Sequence, residues 1–220
     1  MISCKNIYKS FGEIEVLKGI DLSIGKSEIV SIVGPSGSGK TTLLQILGTL
    51  ENPDIKNNPE LVIDNQSVIK LNDSDKSILR NKKIGFVFQF HELLPEFTAI
   101  ENVCLPSWIS NKNIDNARED AIKIFDELDL LKILNKRPDE MSGGERQRVS
   151  VARSLINNPK IVFADEPSGN LDSASSKNLY SLFYELRKKK ECSFLIVTHD
   201  LKFADMADRK IVLNDGRIIK

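Results

Sequence analysis

The stretch SEIVSIVGPSGSGKTTLLQIL, Ser27 to Leu47, joins a continuous apolar run to a helical pattern through a glycine-rich turn. EIVSIV has the composition of a strand buried on both faces. KTTLLQIL spaces its apolar residues as a buried helix does. Between them, GPSGSGKT, Gly34 to Thr41, fits the pattern G-x-x-x-x-G-K-[ST] in full. Gly34, Gly37 and Gly39 let the backbone curl so that several N–H groups of the loop, Ser36 and Ser38 included, converge on phosphate oxygens. Lys40 supplies a positive charge for β- and γ-phosphates. Thr41, with Thr42 beside it, supplies a hydroxyl for Mg²⁺.

The rest of the chain fits around this unit. KKIGFVFQ, KIVFADE and CSFLIVTH are three more short apolar runs. Helical patterns lie between them. Over 115–132, Ala121, Ile124, Phe125, Leu128 and Leu131 share a face. Over 173–190, Leu179, Leu182, Phe183 and Leu186 do the same, and the terminal RKKKE reads as a solvated tail. Strands alternating with helices predict an α/β, doubly wound core with a mostly parallel sheet. The N-terminal region differs: 2–11, 15–24 and 60–68 alternate apolar with polar residues and are separated by turn formers, which predicts an antiparallel sheet. Residues from about 90 to 140 read as mostly helical, forming a small lobe.

Composition narrows the class. The chain has 220 residues, 40% hydrophobic and 28% charged, an ordinary globular balance. Its 31 basic and 31 acidic residues cancel, which argues against direct nucleic-acid binding by general phosphate attraction. No apolar run is long enough to span a bilayer, and MISCKNIYKS has no signal-peptide core, so a membrane role requires another anchor. Cys4, Cys104 and Cys192 lack metal-ligand spacing and read as reduced thiols.

Two more segments carry chemistry. KIVFADEP ends an apolar strand on Asp165 and Glu166, carboxylates that are costly there unless a cation and a reacting water justify them. Asp165 is the candidate metal ligand, and Glu166 the base that orients and deprotonates the water. MSGGERQRVSVARSL, Met141 to Leu155, opens a second helix. Ser142 and Glu145 form a capping-box pattern, with Val149, Ala152, Leu155 and Ile156 turned to the core. The box does not explain Gly143 and Gly144, which weaken a helix but allow a ligand to approach the backbone. A phosphate held by a second copy of the chain, meeting head to tail, accounts for both.

GPSGSGKT, VFADEP and the LSGGQ-like MSGGERQ together resemble the ATP-binding cassette of ABC transporters, over essentially the whole chain. The resemblance implies an ATPase fold with a mostly parallel core sheet, an N-terminal antiparallel β-subdomain and a helical signature subdomain. Residues 1–89 and 158–220 would form the core and β-subdomain, and about 90–157 the helical part, within one domain spanning 1–220. It implies ATP and Mg²⁺ as ligands, and a homodimer sandwiching ATP, with Ser142, Gly143 and Gly144 reaching the opposite nucleotide. Phe11 matches the aromatic that stacks on adenine. Gln89 matches the glutamine that reaches Mg²⁺ and the attacking water. Asp172 matches the aspartate at the dimer seam, and His199 the histidine on the γ-phosphate. Lys40, Gln89, Glu166 and His199 are then the catalytic set, and Thr41, Gln89 and Asp165 the metal set. His91 reads as a surface or partner contact.

LLPEFTAIENV, GERQRV and PSGNLD resemble the ATPase subunits of lipoprotein-releasing exporters and their macrolide-exporter relatives. Many relatives carry SALD where this chain has Gly169-Asn170-Leu171-Asp172. The subgroup implies integral membrane permease subunits as partners and a peripheral place on the cytoplasmic face of the inner membrane. A cell-division ATPase that transmits force carries the same motifs and differs in partner; a soluble ABC protein usually has coiled-coil insertions, two cassettes or basic extensions, whereas this sequence has one cassette, no heptad insertion and balanced charge. Leu93, Leu94, Phe97 and Trp108 suit either a docking groove or the core of the helical lobe. Asn65 replaces the glycine of a common turn and should keep its left-handed conformation.

Overall fold

The structure is a computed structural model describing residues 2–219. In chain order the elements are β1 (Ile2–Phe11), β2 (Ile14–Ile24), β3 (Ile29–Val33), α1 (Lys40–Leu47), β4 (Glu60–Ile63), β5 (Gln66–Ser67), α2 (Asp73–Lys83) and β6 (Ile84–Val87). They continue with α3 (Ala99–Ile109), α4 (Ile114–Glu127), α5 (Gly143–Leu155), β7 (Ile161–Asp165), α6 (Ser173–Lys190), β8 (Ser193–Val197), α7 (Leu201–Met206), β9 (Arg209–Asn214) and β10 (Arg217–Ile218).

Two sheets result. The first runs β2-β1-β4-β5 and is antiparallel throughout, as its alternating sequence predicts. Its β4–β5 hairpin turns on Asp64 and Asn65, with φ of 48° and 65°, so asparagine does adopt the left-handed turn conformation. The second runs β10-β9-β3-β8-β7-β6; β9, β3, β8, β7 and β6 are parallel neighbours, and β10 closes the edge antiparallel.

The apolar runs are explained by burial on both faces. Val30 and Ile32, Ile161 and Phe163, and Leu195 and Val197 pack into one hydrophobic cluster with α1 and the antiparallel sheet. Ile29, Val162, Ala164, Phe194 and Ile196 point the other way, into a cluster shared with α3 to α7. The polar residue inside the first run, Ser31, is buried and satisfied, its hydroxyl donating to the Ala204 carbonyl at 3.1 Å.

Two expectations need correction. The helix predicted over 115–132 stops at Glu127. Asp129 turns left-handed at φ 54°, and a short 3-10 turn over Leu131–Ile133 follows. That break rotates Leu131 off the buried face, leaving it 44% exposed, while Leu128 stays buried. His91 is buried rather than a surface group. Burial, and then the charge of Arg146, hold its pKa below the usual imidazole value. Of the four apolar residues left between groove and core, Leu93 and Trp108 pack against the core, and Leu94 is exposed.

Candidate nucleotide site

The sheet delivers its chemistry at one edge. β3 leads into the glycine loop, β6 into Gln89, β7 ends at Asp165 and β8 leads into His199. In an open α/β sheet, ligands bind outside these carboxyl ends of the strands.

The loop from Gly34 to Gly39 is built tightly against the two sheets. A Cβ at Gly34, whose φ is 155°, would stand 1.9 Å from the Leu213 carbonyl oxygen. One at Gly39, with φ of 99°, would stand 2.8 Å from Leu17 and 3.0 Å from the Val16 carbonyl. Gly37 also has a left-handed backbone, at φ 77°, yet faces open space, as the ligand side of a phosphate cradle should. Lys40 Nζ is folded over this loop, donating to the Gly34 and Pro35 carbonyls at 2.9 Å each. Thr41 and Thr42 lie in the first turn of α1.

Asp165 is the electrostatic anomaly. Its Oδ1 is buried without a hydrogen-bond partner. Burial pushes its pKa above the carboxylate range, opposed by the Thr41 hydroxyl and the charge of Lys40. A lone buried carboxylate oxygen beside a threonine hydroxyl fits a divalent cation. Among the described residues, no three His, Cys, Asp or Glu gather into a cage of their own. Mg²⁺ suits such a site because it takes one or two carboxylates and completes its shell with phosphate and water.

Glu166 follows in a left-handed conformation, φ 45°, uncommon for a glutamate and of the kind held where a side chain must be aimed. Its N–H donates to the Val197 carbonyl at 2.9 Å, tying β7 to β8 beyond the strand end. Its Oε2 pairs with His199 Nδ1 at 2.8 Å and accepts from the His199 N–H at 3.3 Å. Two of the four catalytic candidates thus meet, although 33 positions separate them.

Phe11 ends β1, is 49% exposed and has the Lys9 ammonium 4.9 Å from its ring centroid. Asp172 caps α6, its Oδ1 accepting from the Ala174 and Ser175 N–H groups at 2.9 Å. Those bonds, with the Ser175 hydroxyl, hold its pKa below the usual range. Ser142 and Glu145 form the predicted capping box, with bonds of 3.2 and 2.7 Å. A Cβ added at Gly143 would approach only Leu171, at 3.9 Å, and at Gly144 only Ser175, at 3.7 Å. These are ordinary contacts, and no atom of the loop 34–41 lies within 4 Å of either. The start of α5 and the Asp172 segment are therefore neighbours of each other, and the phosphate loop stands apart from them.

Known proteins resemble this sequence and share this fold. The family described as ABC transporter matches residues 17–169. The chain belongs to that family. The lipoprotein-releasing system ATP-binding protein LolD of Bacteroides thetaiotaomicron is 51% identical to this cassette over 220 residues, covering 100% of both chains. The solved dimeric structure of MJ0796, a bacterial ABC transporter cassette, superposes with a TM-score of 0.90 at 39% identity, covering 100% of this chain and 97% of that one. The same MJ0796 cassette in a dimeric post-hydrolysis state bound to ADP and Pi gives 0.89 at 38% identity, with the same coverage.

The structure adds residues whose roles the sequence left unread. After Gln89 the chain takes two left-handed residues in succession, His91 at φ 65° and Glu92 at φ 49°. Arg153 of α5 donates to both of their carbonyls. Asn102, fully buried in α3, holds the next turn by bonding the Leu94 N–H and the Leu94, Phe97 and Thr98 carbonyls. No sequence pattern marks this use of Asn102 or Arg153, because each partner is a backbone group.

Proposed function

We propose that this chain is the Mg²⁺-dependent ATP-hydrolysing subunit of a lipoprotein-releasing ABC complex. Two copies close head to tail around two ATP molecules, and membrane permease subunits receive the motion. The observation that carries the reading is at the start of α5. Gly143 and Gly144 have room for a side chain within their own chain. The demand for glycine therefore comes from outside it, and a phosphate on a second copy meets that demand. Full-length identity of 51% to a lipoprotein-releasing ATP-binding protein supports the subgroup. Among the described residues no helix is long and apolar enough to cross a membrane, which agrees with a peripheral subunit on the cytoplasmic face. We take residues 1–89 and 158–220 as core and β-subdomain, and about 90–157 as the helical part that faces the permease; mutual packing of α3, α4 and α5 supports this.

In this reading the N–H groups of the glycine loop and the Lys40 ammonium hold the β- and γ-phosphates, and Phe11 offers a ring face to adenine. When bound, Mg²⁺ neutralises phosphate charge; Thr41, Asp165 and Gln89 would hold it. Glu166 takes a proton from water as the water oxygen attacks the γ-phosphorus. The bond to the bridging oxygen breaks, and ADP leaves. His199 Nδ1 pairs with the Glu166 carboxylate at 2.8 Å, which sets the imidazole beside the reacting water and the γ-phosphate. Ser142, Gly143 and Gly144 cap that phosphate from the opposite copy, with Asp172 at the seam. Catalysis is mostly positioning and charge stabilisation.

The deciding experiment is Glu166→Gln. The variant should bind ATP, lose about 10²-fold or more in turnover, and run at twice the monomer mass in ATP and Mg²⁺ by light scattering. Captured from native membranes, it should bring down a permease and lipoproteins. Near-normal turnover would remove the role given to Glu166; a division-site partner without lipoproteins would remove the export reading.

A further inference from the structure

The Asp172 segment touches Gln89 at two points. Asn170 Nδ2 donates to the Gln89 main-chain carbonyl at 3.0 Å. Gly169 lies against the Gln89 side chain: an added Cβ would stand 2.8 Å from Nε2, 3.1 Å from Cδ and 3.2 Å from Cγ. Consecutive residues thus bond the backbone of one glutamine and leave room for its side chain. The segment that carries them is itself anchored at each end. The Gly169 N–H donates to the Glu166 carbonyl at 3.0 Å, and Asp172 caps α6. On the far side of Gln89, Arg153 grips the His91 and Glu92 carbonyls. Gln89 is therefore fixed downstream by the signature helix and laterally by Gly169 and Asn170.

We propose that Gly169 and Asn170 are positioning residues for Gln89. Asn170 pins the glutamine backbone, and Gly169 clears the surface on which its side chain lies. Movement of the Asp172 segment, which approach of a second copy would cause, is thereby passed to Gln89. A serine–alanine pair in these positions would remove the donor and fill the clearance, so the device belongs to chains with Gly-Asn here. The inference rests on the reading of Gln89 as the residue that serves the reacting water.

The test uses Asn170→Asp, which keeps shape, removes the donor and adds a charge, and Gly169→Ala, whose methyl crowds the Gln89 side chain from Cγ to Nε2. Turnover and nucleotide affinity are measured for the full-length chain, with each change made in the parent and in a Gln89→Ala background. Hydrogen exchange of the peptide covering 88–92 is followed in parallel. Each single variant should lose roughly five- to tenfold in kcat, the scale of one hydrogen bond's positioning effect, with ATP Kd and melting temperature unchanged. In the Gln89→Ala background the further loss should vanish, and exchange over 88–92 should quicken in Asn170→Asp. Wild-type kcat in Asn170→Asp, or an equal loss with and without Gln89, would overturn the inference. If the parent does not hydrolyse ATP at all, the functional reading fails by itself, and the exchange rates alone decide whether Asn170 holds Gln89.

Discussion

Gly144→Ala separates what the fold needs from what the ligand needs. Gly144 is the second residue of α5, with a helical backbone that alanine adopts freely. The new methyl would find Ser175 Oγ at 3.7 Å and Cβ at 4.0 Å, contacts that require no adjustment. Alanine exceeds glycine by about 0.8–1.0 kcal/mol in a helix interior, and less so near an end. A gain of roughly 0.5 kcal/mol is reasonable here, which raises the melting temperature by about 1–2 °C in a chain of this size. The same methyl covers the N–H groups that should meet the phosphate of the opposite copy. Displacing a reacting group by about 1 Å costs on the order of 10²-fold in rate. Thermal unfolding and steady-state ATPase on one preparation therefore move in opposite directions: unchanged or higher stability, turnover down about 10²-fold. A melting temperature several degrees lower would mean that packing within the chain demands the glycine. Turnover within about threefold of the parent would mean that nothing approaches this backbone closely.

Lys40→Ala should weaken ATP binding by at least about tenfold, as loss of a charge-assisted contact does; unchanged affinity by titration would remove the phosphate-loop assignment. Asn102→Ala strips the hydrogen bonds that fold the turn over 94–98 and leaves buried backbone groups unsatisfied, so stability should fall by about 2–4 kcal/mol, read from urea unfolding. A loss below about 0.5 kcal/mol would show that water replaces the amide. The thiols of Cys4 and Cys192 are pushed up to about 12 and that of Cys104 to about 11, chiefly by burial. A disulfide reagent should therefore label none of them in the native state and all of them after denaturation; fast native labelling would contradict the packing.

The site residues differ in how far a sequence exposes them. Gly34 to Thr41 are contiguous, so their spacing carries the chemistry whole. Asp165 and Glu166 are legible because carboxylates at the end of an apolar run need a reason. The pairing of Glu166 with His199 has no such signal, since it depends on β7 and β8 lying side by side. Leu131 misled the helical pattern because periodicity continues through a residue, Asp129, that leaves the helix. His91 misled because a polar side chain in a loop suggests solvent, whereas its neighbours are set by Arg146 and Arg153 from a distant helix.

The sequence by itself determined the glycine turn between β3 and α1, the two sheet types and most of the core faces. Each depends on local periodicity or on residues adjacent in the chain, where the backbone alone converts spacing into geometry. The tertiary structure alone decided how the Gln89 backbone is bonded, that Glu166 and His199 lie 2.8 Å apart, and that Gly143 and Gly144 have room for a side chain within their own chain. Those facts concern groups tens of residues apart, often with a backbone carbonyl as one partner, and backbone groups are the same in every residue, so no letter of the sequence records them.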